Sequence, residues 1–255
     1  MTRTDDVGTL EQEIEQLIED LRTKLPGLEV FGFPRDLDTI LSSTGLPFIL
    51  NYADRLTVGK ASRWLRDRLG LAITGQRLES DAETGTFIYS NDGGQVLFTS
   101  LAHGVDHMRF DMAHMFGHAW VGGVGDWWRR GRKGPMVQRE TTGRVPWCDG
   151  LPSRPVRRSG KAMPSLDTLE RQYDTVANAL LMPREEVRRR FTEVKDPAAL
   201  RRHFGVTYGV LAARLRGLDL IDARTAARLA KRRTPEKAWE FRPWCVIDRP
   251  RTATA

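Results

Sequence analysis

The sequence predicts an α+β fold, mainly helical with a small three-stranded sheet. Three observations carry that expectation. First, apolar residues recur at three- and four-residue spacing near both ends of the chain. They are Leu10, Ile14, Leu17, Leu21 and Leu25 in one stretch, and Leu169, Tyr173, Val176, Ala177 and Leu180 in another. That is the helical period. Second, Thr86-Phe-Ile-Tyr-Ser90 and Gln95-Val-Leu-Phe-Thr99 flank Asn91-Asp-Gly-Gly94, two strand-like runs around a hairpin turn. Third, the strand signals are grouped between helical stretches instead of alternating with them, an α+β order. With 255 residues, 40% of them hydrophobic, the chain is long enough to bury a core.

Taken in order, residues 9–25 form an amphipathic helix whose other face is Glu, Gln and Asp, and Pro26-Gly27 ends it. Residues 36–41 and 49–56 read as short helical pieces around Gly45-Leu-Pro47. Residues 60–69 make a firmer helix, with Ala61, Trp64, Leu65 and Leu69 on one side and Gly70 as its stop. Leu71-Ala-Ile-Thr74 is the candidate for the third strand beside the hairpin. A helix follows over 108–120. Residues 121–165 are then rich in Gly, Pro, Arg and Lys, and a stretch of that length without periodicity reads as a functional loop or insertion.

Helices resume at 166–181, 184–191, 197–203 and 223–231. Between the last two, residues 205–221 read as turn, helix, turn, with Thr207 as cap. The shape is that of a helix-turn-helix. Trp239, Phe241 and Trp244 are anchors for a polar tail.

Charge is unevenly spread. Residues 1–30 hold eight acids against three bases, net −5, so the formal +7 of the whole chain leaves +12 for the rest. A basic body can attract nucleic acid or an acidic protein. Trp127 and Trp128 beside Arg129, Arg130, Arg132 and Lys133 make a candidate contact for a nucleic acid or a protein partner, through stacking and phosphate contacts. The blander reading is a solvated basic loop pinned by its tryptophans. Cys148 and Cys245, each after Pro-Trp, are too few for a disulfide framework. No apolar run approaches the roughly 18 residues of a membrane span, and the first residues lack a signal-peptide core. A cytoplasmic protein without membrane contact is expected.

The densest chemistry lies between positions 103 and 118, which hold four of the five histidines. On a helix, His114 and His118 stack on one face one turn apart, a spacing that can share a metal ion. Asp111 precedes them by a turn on the same face. A helical zinc-peptidase motif carries Glu directly after the first histidine, where it activates the metal-bound water. Here that position is Met115. His103 and His107 are also four apart, but His103 flanks Gly104 in an expected loop, and the pair reads as incidental.

Three motifs in order carry a family resemblance. Arg109-Phe-x-x-Ala-His114-x-x-Gly-His118, then Ala177-Asn-Ala-Leu-Leu-Met-Pro183, then the segment from Phe204 to Ile221 together resemble the ImmA/IrrE metallopeptidases of mobile elements, phages and radiation-responsive bacteria. The resemblance spans about residues 45–225. It implies a zincin-like metallopeptidase fold, with residues 1–44 as an N-terminal helix and connector, 121–165 as an insertion and 226–255 as a tail. It also implies that the helix-turn-helix pattern belongs to the peptidase body.

By the same resemblance, His114 and His118 are metal ligands and Met115 stands where the general base is expected. The third ligand, a Glu eight residues before Leu-Leu-Met-Pro, falls at Gln172. Glu170 and Asp174 lie two residues to either side of Gln172. On a helix they turn about 160–200° away from it, so they stand as possible ligands that need a shift of register. With both carboxylates replaced, zinc is expected to be weakly bound or absent, and peptidase activity impaired. The resulting expectation is a regulatory protein that grips a partner such as a Cro-like repressor. Two alternatives stand beside it: an active divergent zinc peptidase using Asp111 as its rescue carboxylate, and a basic DNA-binding regulator.

Overall fold

The computed structural model describes residues 4–24, 32–44, 48–53, 55–70, 86–91, 94–100, 105–125, 129–131 and 166–232. Among them, α1 (Thr4–Lys24), α2 (Leu37–Ser43), β1 (Phe48–Ala53), α3 (Val58–Leu69), β2 (Thr86–Asn91), β3 (Gly94–Ser100) and α4 (Val105–Ala119) come first. The second part comprises α5 (Leu166–Leu181), α6 (Arg184–Glu193), α7 (Pro197–Phe204), α8 (Tyr208–Gly217) and α9 (Ala223–Ala230). No helix among the described residues is long and apolar enough to cross a membrane.

Side-chain caps fix many of these boundaries. Asp36, Thr57, Asp196, Thr207 and Asp222 each accept a hydrogen bond from the first turn of the helix they precede. Such a cap satisfies backbone N–H groups that have no partner within the helix and contributes about 1 kcal/mol. Gly70 and Gly205 end α3 and α7 at φ of 65° and 62°, the left-handed conformation that costs glycine nothing.

The sheet has the order β1-β3-β2, with β1 parallel and β2 antiparallel to β3. The hairpin pairs Asn91 with Gly94 at its turn. Of residues 49–56, expected to be helical, 49–53 belong instead to β1. Phe-Ile-Leu-Asn-Tyr-Ala is an apolar run too short for its period to separate a helix from a buried strand. The parallel partner β3, some forty residues away, decides the matter by pairing Phe48 with Gln95 through Ala53 with Ser100. Tyr52, fully buried, donates from its hydroxyl to Asp38 Oδ1 at 3.0 Å and meets Met112 Sδ at 3.1 Å, so β1 joins α2 to α4. Leu71–Thr74 lies outside the described residues.

A second correction concerns the end of α4. The helix does not stop at Trp120 but continues as a π-helical turn over Trp120–Val124. The Trp120 indole folds back over Gly125. A β-carbon at Gly125 would come within 2.7 Å of the indole nitrogen.

The apolar core runs through both parts of the chain. Ile14, Leu17 and Leu21 of α1 share one cluster with Phe116 and Trp120, with Val176 and Leu180 of α5, and with Phe204 and Leu211. Each such side chain contributes roughly 1.5–3 kcal/mol on burial. The acidic α1 therefore lies on the body along α5, with its polar face supplying ion pairs. Glu11 accepts from Arg184 at 3.0 Å and from Arg214, and Glu13 accepts from the Trp120 indole at 3.2 Å and from Arg129.

Candidate metal centre

Three contacts position α4 against its neighbours. Arg109 donates from Nε to the Gly205 carbonyl at 3.1 Å and from Nη1 to the Arg35 carbonyl at 2.6 Å. Burial pulls its pKa down to about 10, while Asp106 and Asp36 push the other way. It stays cationic at neutral pH and strengthens both bonds. Arg35 in turn donates to the Leu180 carbonyl at 2.7 Å, near the end of α5.

The third contact is a close approach of backbones. A β-carbon on Gly117 would stand 2.7 Å from the Tyr173 carbonyl oxygen and 2.8 Å from its Cα. Any side chain there would force α4 away from α5. The glycine between the two histidines thus lets the histidine face settle onto the face of α5 that carries Glu170, Tyr173 and Asp174.

The consequence is a compact group of polar side chains. The His114 Nδ1 lies at hydrogen-bond distance, 2.9 Å, from Asp174 Oδ1, and its Nε2 lies 3.4 Å from Glu170 Oε2. The rings of His114 and His118 are 5.1 Å apart. Tyr173 stacks on His118 at 3.7 Å and meets His114 edge-on at 5.8 Å. Ligand atoms of His114, His118 and Glu170 all fall within 4.8 Å of one another. His118 is buried, and that burial, reinforced by His114, holds its pKa well below the usual imidazole value. It is neutral at physiological pH, the state in which imidazole binds a metal.

These residues fit a metal ion. Two imidazoles and a carboxylate are a donor set used for zinc. Bonds of about 2.0–2.1 Å arranged tetrahedrally separate neighbouring ligand atoms by about 3.3 Å. The observed 3.4 Å between His114 Nε2 and Glu170 Oε2 matches that edge.

Of the two carboxylates beside Gln172 that stood as possible ligands, Glu170 is the one whose ligand atom joins the histidines. Counting back from Leu-Leu-Met-Pro selected Gln172 and turned Glu170 and Asp174 away. In the structure those two carboxylates meet His114, and half-buried Gln172 occupies the α5 face some 200° round by the helical period. An offset counted along the chain does not fix which face of α5 meets α4; the Gly117–Tyr173 contact does. The sequence held a signal for this: Glu170 and Asp174 are four apart, like His114 and His118, and Tyr173 shares their face.

Met115 is only 1% exposed and lies in the apolar core, so no acid or base occupies the position after the first histidine. Asp111 is half-buried a turn earlier and is not among the three residues whose ligand atoms converge. Arg129 is engaged with Glu13, and Arg130 is exposed. Trp127, Trp128, Arg132, Lys133, His103, Cys148, Cys245, Trp239, Phe241 and Trp244 lie outside the described residues.

Residues 163–216 match the family model of a peptidase family described as the IrrE N-terminal-like domain. The matched stretch covers α5 to near the end of α8 and includes Glu170 and Asp174, and it supports the ImmA/IrrE resemblance read from the motifs. No curated protein and no solved structure matches the chain.

Proposed function

We infer that this chain is an ImmA/IrrE-type metallopeptidase-like protein that retains a metal site but has lost its general base, and that it works by binding a regulatory protein. The convergence of His114, His118 and Glu170 beside a core-buried Met115 carries this reading. His114, His118 and Glu170 would hold the metal, and the metal when bound would supply Lewis acidity toward a carbonyl. Tyr173 shields His118 from water by stacking on it. At the position after His114 the thioether of Met115 can neither take nor return a proton. Loss of a general base typically lowers a rate by about 10²–10⁴-fold, so binding of a peptide chain outlasts its cleavage.

The partner this suggests is a Cro-like repressor or another regulatory protein. The test is to incubate the purified protein with zinc and a candidate repressor, following complex formation and cleavage together. Complex formation with the repressor left intact is expected. Metal-dependent cleavage that disappears in Asp111→Ala would instead establish the active, divergent peptidase.

A further inference from the structure

We propose that Asp174 is a positioning residue for the metal site: it holds His114 in the Nδ1–H tautomer and aims the Nε2 lone pair at the point where Glu170 and His118 converge. This rests on the metal-binding reading above and extends it to a residue that does not itself join the ligand group.

The two ring nitrogens of His114 are in unlike situations. Nδ1 is at hydrogen-bond distance, 2.9 Å, from Asp174 Oδ1. Nε2 faces Glu170 Oε2 at 3.4 Å, beyond a good hydrogen bond and matched to the spacing of two ligands on one cation. A neutral imidazole carries one proton. With that proton at Nδ1, Nε2 is an acceptor opposite a second acceptor, and a cation between them relieves the repulsion. With the proton at Nε2, Asp174 and Nδ1 would be two acceptors in contact, and the ligand lone pair would point away from Glu170.

Asp174 also has the right freedom for the task. Its side chain is 51% exposed, and among the described residues its one ion-pair partner is His114. It is not held by a structural network that would explain its presence. Glu170 sits one turn before it on α5, so a single helix face provides both a carboxylate for the metal and a carboxylate for the ligand behind it. An outer carboxylate of this kind fixes ring orientation and raises ligand basicity, and its loss commonly lowers metal affinity about 10–100-fold.

The experiment compares wild type, Asp174→Asn and Asp174→Ala by two measurements. In the first, zinc alone is titrated in competition with a chromophoric chelator. Asp174→Ala is expected to bind about 10–100-fold more weakly, and Asp174→Asn to fall in between, because its amide oxygen still accepts from Nδ1–H without a charge. The second uses ¹⁵N-histidine NMR on metal-free protein, above the ordinary imidazole pKa, with His114 assigned through His114→Ala. Wild type is expected to show the Nδ1–H tautomer, and Asp174→Ala a shift toward Nε2–H. Metal-free unfolding midpoints should be unchanged in both variants, because the side chain is half-exposed.

Wild-type zinc affinity in Asp174→Ala overturns the proposal, as does an unaltered tautomer or a doubly protonated His114 in wild type. If wild type binds no zinc, the metal reading falls. The tautomer comparison then decides the role of Asp174 by itself.

Discussion

Two clusters of charged side chains, one behind α5 and one in front of it, differ in a way that separates structure from chemistry. Behind it, Glu11 is buried between Arg214 and Arg184, and Arg214 also donates to the Met182 carbonyl at 3.1 Å. Its negative charge has cations on both sides. In front of it, Glu170 and Asp174 face His114, and among the described residues neither carboxylate pairs with an arginine or lysine. In the first cluster the carboxylate's charge is balanced. The second has two carboxylates around His114 and a His118 held neutral by burial. Glu170 and Asp174 are 39% and 51% exposed, so water offsets their charge, and what sets this cluster apart is the convergence of a carboxylate with two imidazoles.

The largest effect that tests this contrast should come from Glu11. Glu11→Ala leaves Arg214 buried without its carboxylate, and about 3–5 kcal/mol of stability should be lost, read by chemical denaturation. A loss no larger than that of an exposed pair would break the comparison. The pH dependence has a definite sign. Burial raises the Glu11 pKa, but Arg214 and then Arg184 outweigh it and hold the group below its ordinary value. Its contribution is therefore present above the unfolded-state carboxyl value, about 4.3, and is lost as pH falls through the lower folded value. Glu11→Gln should flatten the acid limb of the stability profile, and an unchanged limb would count against the pairing.

Next in size is the response to zinc. At a hundredfold excess over its dissociation constant, zinc should add about 2.7 kcal/mol of stability. His114→Ala should abolish the gain, while Glu11→Ala, destabilised as it is, should keep it. A gain surviving in His114→Ala would move the site elsewhere.

Gly117→Ala should cost about 1–3 kcal/mol through overpacking against the Tyr173 backbone. It should also weaken zinc binding, since the shift carries Glu170 away from the histidines. Unfolding midpoints and chelator competition measured together would reveal whether the two losses travel as one. The smallest expected effect is that of Asp111→Ala, whose zinc affinity should equal wild type. A drop there would enlarge the ligand group.

Much of the secondary structure was legible. The bounds of α5 follow directly from its apolar period and from Met182-Pro183, and the cap at Thr207 could be read from residue type. β1 was not legible, because so short and mostly apolar a run satisfies either period until β3 supplies a partner. The π-helical turn after Ala119 was hidden too. Its Gly-rich sequence lacks helical periodicity, and what accompanies it is a tertiary contact, the Trp120 indole against Gly125 and Glu13. At the site, the spacing of the histidine pair and the identity of Met115 were legible as residue types, and Glu170 stood as one of two possible acids beside Gln172. Which of them converges with the histidines was not legible along the chain.

What could be read locally was the set of side chains and their spacing: two histidines one turn apart, a methionine directly after the first, and, at positions 170 and 174, two carboxylates one turn apart. Those facts follow from the helical repeat, which every residue of a helix obeys locally. Tertiary structure decided which of these faces meet. The rotation of one helix against another is set by packing, here by the absence of a side chain at Gly117 and the hold of Arg109 on Gly205 and Arg35. No spacing counted along either helix contains that angle.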